Sequence, residues 1–233
     1  MSKKAEIYQN GEYLGNHPDW HEEDSEWKAK KIAGILTKNN VTPKSICEVG
    51  CGAGEILNQL HNTFKGANVT GYEISQDAYE FCSKKQKEGL TFKLEDILNP
   101  DNKEHYDVLL CIDVFEHVED YFSFLRKLRE KADYKVFHIP LELSVVGMLS
   151  KNRLMNSRRK FGHLHYYSKD TALACLRDTG YTIVDAYYSR RSFEVNSGGF
   201  SKKFMNLFRR LFNFNRDLSV RLFGGESLLV IAK

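Results

Sequence analysis

Short apolar runs rich in strand-forming residues alternate along the chain with segments in which apolar residues recur at helical spacing. The first run begins at Ser45, and three more lie at 68–72, 91–94 and 106–112. A last run, SLLVIA, lies near the end. The run at 106–112 is apolar enough for a strand that is buried on both faces. This alternation predicts an α/β protein whose sheet is mainly parallel.

A glycine turn joins the first strand to the helix that follows it. Glu48 closes the strand, and Gly50, Gly52 and Gly54 alternate through the turn, so the backbone can bend sharply and approach a ligand closely. The spacing is GxGxG, and Glu55 stands where a dinucleotide-binding turn has its third glycine. Since a carboxylate there would repel a pyrophosphate, the pattern favours a cofactor that has a nucleoside but no phosphate.

Acidic residues follow the later strands, at the edge where an α/β sheet binds its ligands. Glu73 comes about 20 residues after the glycine turn, the offset at which a carboxylate accepts hydrogen bonds from ribose hydroxyls, and Ile74 follows it. Asp96 and Ile97 form an acidic and apolar edge suited to the amino group and ring face of adenine. Asp113 follows the fourth strand. We predict that all of these residues contact the cofactor in one crevice.

Four segments carry a resemblance to a known family. In order and spacing they look like the successive motifs of class I methyltransferases that use S-adenosylmethionine (SAM), and they read EVGCGAG, GYEIS, LEDIL and DVFEHVED. The last is similar to the corresponding segment of the ubiquinone-biosynthesis type O-methyltransferases. The resemblance extends roughly over residues 46–187. It implies a Rossmann-like, doubly wound sheet of seven mostly parallel strands, SAM as the cofactor, and methyl transfer to a small molecule, with oxygen the expected acceptor atom.

Other functions fit parts of the same pattern. An N-methyltransferase acting on an amino sugar or a related metabolite would share these motifs, and an inactive SAM-binding partner subunit would keep the cofactor site alone. A nicotinamide-dependent oxidoreductase could also hold ribose on Glu73, but Glu55 and the DVFEH segment argue against it. RNA or protein acceptors stay open, although the sequence contains no separate nucleic-acid-binding module and none is expected as a partner.

Histidines are the candidate bases for the proton that leaves a hydroxyl acceptor. The sulfonium of SAM already activates the methyl group, so positioning of the acceptor supplies most of the rate. His117 follows the fourth strand, and His165 precedes a helix that Ser168 is expected to cap, so both could reach the crevice. We take these two as the catalytic candidates ahead of His138 and His163.

A metal-associated motif overlaps this segment. Asp113, Glu116 and His117 are spaced so that a helical turn would bring them together, and they resemble the acidic and histidine cluster of the ubiquinone-type O-methyltransferases. A divalent ion there would lower the pKa of a catechol-like hydroxyl. Relatives also keep this pair of glutamate and histidine without metal, to shape the pocket. We prefer that interpretation and assign no metal.

The chain is predicted to be one domain over residues 1–233. The resemblance implies that residues 1–40 form a helical cap over the methionine end of SAM. Within it, Lys28 could pair with the carboxylate of the cofactor.

The resemblance implies that the acceptor side comes from residues 141–167 and 190–225. Residues 141–160 show no clear period and are predicted to be a loop, which contains the basic run RRK at 158–160. Residues 201–214 form a basic amphipathic helix pattern. Such a helix could contact an anionic membrane, pack on the domain or join a second subunit, so a monomer or a homodimer is expected.

Composition indicates a soluble protein. The 233 residues are 42% hydrophobic and 28% charged, and no run approaches the ~18 apolar residues of a membrane span. The start of the chain lacks the apolar core of a signal peptide, and the five cysteines show no CxxC spacing. We therefore expect a cytoplasmic protein with reduced cysteines.

Charge is divided unequally between the two parts of the chain. Residues 1–150 contain 18 Lys and Arg against 25 Asp and Glu, whereas residues 151–233 contain 16 against 6. The basic part suits an anionic acceptor, such as a nucleotide sugar or a phosphorylated, lipid-linked molecule, or an anionic surface. The alternative is that these charges only solvate outer helix faces.

Overall fold

The computed structural model describes residues 22–189 and 214–233, and these contain a seven-stranded sheet. The strands are β1 (Ser45–Val49), β2 (Asn68–Glu73), β3 (Leu90–Leu94), β4 (Tyr106–Ile112), β5 (Ala132–Leu141), β6 (Ile183–Ser189) and β7 (Glu226–Ala232). Their order is β3-β2-β1-β4-β5-β7-β6, and all neighbours are parallel except β7, which is antiparallel to both β5 and β6. The predicted doubly wound, mostly parallel sheet is confirmed.

Helices cover both faces of this sheet. They are α1 (Glu22–Lys38), α2 (Glu55–Thr63), α3 (Gln76–Cys82), α4 (Tyr121–Leu128), α5 (Val145–Leu149), α6 (Arg153–Phe161), α7 (Lys169–Asp178) and α8 (Arg216–Phe223). Short 3₁₀ turns occupy Ser83–Lys85, Phe115–His117 and Arg129–Lys131. Since successive side chains of a strand point to opposite faces, each central strand contributes to two cores. Leu109 packs with Leu125 of α4 and Leu176 of α7, whereas Val108 packs with Ile32 of α1 on the other face.

The local sequence signals correspond to observed helix starts. Ser75 caps α3, because its hydroxyl accepts a hydrogen bond from the amide of Ala78. The predicted cap of α7 is also confirmed, since Ser168 accepts from the amide of Thr171 and the Thr171 hydroxyl accepts from the Ser168 amide in return. The run SLLVIA belongs to β7 as expected.

The prediction of a loop over residues 141–160 is wrong. Two helices, α5 and α6, lie there. Ser144 caps α5 by accepting a hydrogen bond from the amide of Gly147, and Gly162 ends α6 in the left-handed conformation. Helices of five and nine residues are too short to show a clear apolar period, so only the capping residues indicate them in the sequence.

Two predicted elements lie only partly within the described residues. The helical cap expected over residues 1–40 is described from residue 22 onward, as α1. The amphipathic pattern at 201–214 lies outside the described residues except for its last position. Within the described parts, we find no helix with the length and apolarity needed to cross a bilayer.

One glycine in β2 is fixed by packing, which gives a test of the fold. A Cβ on Gly71 would lie 2.5 Å from Cδ1 of Phe92 and 2.7 Å from Sγ of Cys51. We expect Gly71→Ala to lower the free energy of unfolding by about 1 to 3 kcal/mol through overpacking. Gly34, inside α1, has no atom within 4 Å of an added Cβ, so Gly34→Ala should raise it by roughly 0.5 to 1 kcal/mol. Urea unfolding of both variants checks this, and a neutral Gly71→Ala would contradict the packing described.

Candidate active site

The glycine turn (residues 50–54) closes the carboxyl edge of β1. Gly50, Gly52 and Gly54 all have positive φ, at 65°, 54° and 76°, a region that side chains rarely allow. A Cβ on Gly54 would also lie 2.6 Å from Phe92 and 2.8 Å from Cys82. The turn therefore needs these glycines for its own conformation, and it presents bare backbone at the strand end.

Glu73, at the end of β2, is bonded to this turn. Its Oε2 accepts a hydrogen bond from the amide of Gly52 at 2.9 Å, and its Oε1 accepts from the amides of Ile74 and Ser75, both at 2.8 Å. Burial raises the pKa of the Glu73 carboxyl, although these three donors oppose the shift. Because a carboxylate has about four acceptor positions, one is left for a ligand.

The edge after β2 and β3 carries the residues predicted to contact adenine. The Ile74 side chain is 53% exposed. Asp96 is exposed as well, and its Oδ1 accepts a hydrogen bond from the amide of Leu98 at 2.9 Å. Ile97 is fully buried in the core. Of these residues, only Ile74 and Asp96 therefore present side chains at this edge.

Glu48 lies inside β1 rather than at its end. Its side chain is buried, and its Oε2 has no hydrogen-bond partner among residues 22–189 and 214–233. Burial raises the pKa of the Glu48 carboxyl well above its ordinary value, although Lys28 opposes the shift. Glu48 is thus a buried polar group beneath the glycine turn.

Asp113 forms a charged network at the end of β4. Its Oδ2 lies 2.8 Å from Nζ of Lys28 on α1, and its Oδ1 lies 2.7 Å from Nδ1 of His138 on β5. Burial alone would raise the pKa of Asp113, but His138 and Lys28 outweigh it and hold that pKa well below the usual range. Burial lowers the pKa of Lys28 and Asp113 raises it, with a net rise.

The network lies beside the glycine turn. Asp113 has φ of 53°, which is uncommon for a residue with a side chain. The next residue, Val114, is so close to Gly50 that a Cβ on this glycine would lie 3.2 Å from its Cγ2. Lys28 and Asp113, both predicted to contact the cofactor, are therefore paired with each other at the edge of the turn.

His117 lies against His163, a contact that the sequence did not predict. The rings of His117 and His163 lie 4.8 Å apart in a T-shaped arrangement. Burial, with a smaller effect of His163, lowers the pKa of His117 to about 4. At neutral pH this imidazole is therefore uncharged.

Glu116, His117 and His163 together form what we call the acidic-histidine cluster. Each offers one ligand atom, and these atoms all lie within 4.8 Å of one another. Burial, and secondly Asp113, raises the pKa of the Glu116 carboxyl well above its ordinary value. Asp113, which the sequence grouped with Glu116 and His117, is not a member. Its backbone lies in the left-handed region and its carboxylate is engaged by Lys28 and His138, so His163 takes the third position.

His165 lies next to this cluster and is partly exposed. The amides of Leu164 and His165 both donate to the carbonyl oxygen of Glu116, at 2.9 and 3.1 Å. The His165 ring packs against Tyr121, with centroids 4.5 Å apart, and its Nε2 lies 2.9 Å from the carbonyl oxygen of Val118. Because a carbonyl can only accept, Nε2 carries the hydrogen and Nδ1 of the neutral ring carries the lone pair.

Sequence reasoning missed Glu142, which follows β5. Its Oε2 lies 2.8 Å from Nδ1 of His163, and its Oε1 accepts from the hydroxyl of Ser157. The two residues of the Glu142–His163 pair are 21 positions apart, so no local spacing could reveal them. Arg159 and Lys160, from the basic run, are exposed in the last turn of α6.

Comparison with protein families gives a match over most of the chain. Residues 20–186 match a family model described as "Methyltransferase domain". The matched range contains β1 to β5, the glycine turn and every site residue described above.

Curated relatives are similar over a part of their length. The ubiquinone biosynthesis O-methyltransferase of Rickettsia conorii is 32% identical over 119 residues, which are 49% of this chain and 38% of that protein. Pavine N-methyltransferase of Thalictrum flavum subsp. glaucum is 29% identical over 89 residues, 36% of this chain and 25% of that protein. The matched segment thus spans well under half of either relative.

Solved structures share the fold. The crystal structure of magnesium protoporphyrin IX methyltransferase from Synechocystis PCC 6803 with bound SAM superposes with a TM-score of 0.56 at 18% identity, over 89% of this chain and 78% of that one. At this identity the similarity concerns the architecture alone.

The charged network makes stability depend on pH through Asp113. In the folded chain the Asp113 carboxylate stays ionised below the unfolded pKa of about 3.9, so the network stabilises above that pH and is lost as the pH falls. Asp113→Asn should lower the free energy of unfolding by about 1.5 to 3 kcal/mol at pH 5 to 7, and the difference from wild type should shrink below about pH 4.

Urea unfolding across pH 3 to 7 measures this difference, and Asp101→Asn, at an exposed position, is the matched control. A difference between wild type and Asp113→Asn that stays constant with pH would show that the network does not stabilise the fold through its charge.

Proposed function

This chain belongs to the methyltransferase-domain family, and from that premise we propose that it transfers a methyl group from SAM to the oxygen of a small-molecule acceptor. The hydrogen bond from the Gly52 amide to Glu73 is the observation that carries the proposal. It places a carboxylate that can accept hydrogen bonds from ribose hydroxyls beside a turn in which the backbone is bare. The structure of magnesium protoporphyrin IX methyltransferase contains bound SAM, which supports SAM as the cofactor of this chain as well.

The start of α2 argues against a phosphorylated cofactor. Glu55 lies in the first turn of this helix, where a pyrophosphate would bind, and its Oε1 accepts a hydrogen bond from Nε2 of Gln59 at 2.7 Å. The helix dipole is thus matched by a side-chain carboxylate. SAM needs no anion site at this helix, whereas a nicotinamide dinucleotide does.

The cofactor residues divide between the two ends of SAM. We assign the ribose to Glu73, the adenine to the edge formed by Ile74 and Asp96 with Ile97 beneath, and the methionine end to the glycine turn above Glu48. Lys28 and Asp113 lie at that second end, where a cation and an anion can pair with the carboxylate and ammonium of the amino acid. Bound SAM supplies a methyl group on a positive sulfur, and the chain holds the acceptor in line with it.

His165 is the proposed base for an acceptor hydroxyl. Its Nε2 is fixed on the carbonyl of Val118, which leaves the Nδ1 lone pair to take the proton. His117 was the other candidate, and its lowered pKa of about 4 makes it the weaker base at neutral pH. Because burial lowers the pKa of His117, we prefer His165 as the base.

The acceptor atom decides between the main proposal and its alternative. Relatives include both an O-methyltransferase and an N-methyltransferase, so an amine such as an amino sugar is the second candidate. A panel of phenols, alcohols and amines, scored by release of demethylated cofactor and by the mass of the product, separates them. Release with no member of the panel would favour an inactive SAM-binding subunit.

The basic residues of α6 support an anionic acceptor. Arg159 and Lys160 are exposed in its last turn, together with the partly buried Arg158. The same proposal includes an acceptor that is linked to a lipid and peripheral contact with a membrane through residues 201–214. It also includes a chain that acts as a monomer or a homodimer. All five cysteines are free and buried in the structure, which supports a reducing, cytoplasmic location.

Glu73 gives a direct test of the cofactor site. Glu73→Ala removes charge-assisted hydrogen bonds worth about 1.5 to 3 kcal/mol, so the affinity for SAM should fall by about ten- to a hundredfold. Isothermal titration with SAM and with its demethylated product measures this loss. Glu80→Ala, at an exposed position of α3, is the matched control. Unchanged affinity in a folded Glu73→Ala variant would remove Glu73 from the site.

His165 gives the test of the chemical step. With a hydroxyl acceptor found on the panel, His165→Gln should lower kcat by about 10²- to 10⁴-fold, with a smaller effect on KM. The loss should shrink as the pH rises, because the hydroxyl then ionises without help. His105→Gln changes an exposed histidine next to Asp133 and should retain wild-type kcat. A His165→Gln variant with normal kcat would exclude His165 as the base.

A further inference from the structure

His138 on β5 is a buried histidine that the assignments above leave without a role. The residue is 5% exposed, and its Nδ1 lies 2.7 Å from Oδ1 of Asp113. Because an ionised carboxylate only accepts hydrogen bonds, Nδ1 carries the hydrogen of this bond. The other nitrogen, Nε2, is buried and has no hydrogen-bond partner within residues 22–189 and 214–233. In that part of the chain, the ring therefore makes its hydrogen bond to Asp113.

The backbone also joins His138 to Asp113. His138 is paired with Ile112, the last residue of β4, and its carbonyl oxygen accepts a hydrogen bond from the amide of Asp113 at 3.0 Å. The ring packs against Trp27 of α1, nearly perpendicular to it and with centroids 6.2 Å apart. His138 thus holds Asp113 through both its main chain and its side chain, from a strand inside the sheet.

We propose that His138 is a positioning residue for the cofactor, which holds the Asp113 carboxylate in the orientation that recognises the amino-acid end of SAM. The inference rests on the proposed function, because it takes SAM as the cofactor and places Lys28 and Asp113 at that end. His138 acts through Asp113 and is not itself required to touch the cofactor.

The bond from His138 divides the two oxygens of Asp113 between two donors. Oδ1 is held by His138, whereas Oδ2 lies 2.8 Å from Nζ of Lys28. Without the imidazole, both oxygens could turn to the ammonium of Lys28, and the ion pair would then satisfy itself. In the described part of the chain, Lys28 makes this one hydrogen bond. Since an ammonium has three hydrogens, two are left for the carboxylate of a ligand.

Asp113 needs such support because of its own conformation and burial. Its φ of 53° is in the left-handed region, which residues with a side chain rarely adopt. Burial opposes the ionised form of its carboxyl, but His138 and Lys28 outweigh this effect and keep the pKa low. Each oxygen can accept a second hydrogen bond, so the carboxylate can still bind the ammonium of an amino acid. The network therefore presents an anion and a cation side by side.

Two ligands separate this role from a general effect on the fold. S-adenosylhomocysteine, the demethylated cofactor, has the amino-acid end, whereas 5′-methylthioadenosine has the same adenosine and sulfur without it. In isothermal titration, wild type should bind the first ligand at least about tenfold more tightly, because only this ligand reaches Lys28 and Asp113. Equal affinity for the two ligands would overturn the proposal, whatever the variants do.

Two amide substitutions then identify the nitrogen that acts. The amide nitrogen of asparagine can take the place of Nδ1, whereas that of glutamine takes the place of Nε2. His138→Gln should lower the affinity for S-adenosylhomocysteine by about tenfold and change that for methylthioadenosine by less than about twofold. His138→Asn should keep most of the wild-type affinity for both ligands. The reverse order of the two variants would overturn the role of Nδ1.

His138→Phe removes both nitrogens and should bind the two ligands as His138→Gln does, so either variant carries the test if the other does not fold. Circular dichroism establishes the fold before titration. His105→Gln, which changes an exposed histidine next to Asp133, is the matched control and should bind both ligands like wild type.

The failure of this inference is distinguishable from the failure of the proposed function. A folded His138→Gln variant that loses affinity for both ligands equally, or for neither, would overturn the positioning role and leave SAM as the cofactor. Wild-type protein that binds neither ligand would refute SAM as the cofactor and would overturn this inference with it.

Discussion

The Glu73 carboxylate is the group on which the geometry of the site depends. A buried carboxylate must be bonded, and three backbone amides, from Gly52, Ile74 and Ser75, satisfy this one. The same bonds fix the distance between the end of β2 and the glycine turn. The positive φ angles of the turn require glycine, and because glycine has no side chain, bare backbone lines this part of the crevice.

The segment that follows β4 connects the two sides of the crevice. On the proposed cofactor side, Asp113 connects this segment to α1 through Lys28 and to β5 through His138. On the proposed acceptor side, the backbone carbonyl of Glu116 accepts hydrogen bonds from the amides of Leu164 and His165. A few residues therefore connect the side of the crevice proposed for the cofactor with the side proposed for the acceptor.

The sequence predicts those features that depend on neighbours along the chain. Strand β4 was predicted over its observed length, Ser168 was predicted as a helix cap, and the resemblance to class I methyltransferases is confirmed by the family match. Each of these features depends on residue spacing along the chain or on a short motif. The seven-stranded order follows once the family is known.

The features that the sequence could not predict depend on contacts between distant residues. Nothing near Glu142 indicates that it holds His163, and the predicted helical grouping of Asp113 with Glu116 fails because Asp113 takes a left-handed backbone. Ile97 reads as a ligand-facing residue after a strand but is packed into the core. Short, capped helices such as α5 carry too few residues for a period to show.

We propose that SAM binds across the glycine turn and the end of β2. Amide hydrogen exchange with and without the demethylated cofactor tests it most directly, because exchange reports on each segment without requiring turnover. We expect the cofactor to slow exchange in residues 50–54 and 73–75 while leaving α7 unchanged. Protection confined to other segments, with these two unaffected, would contradict it.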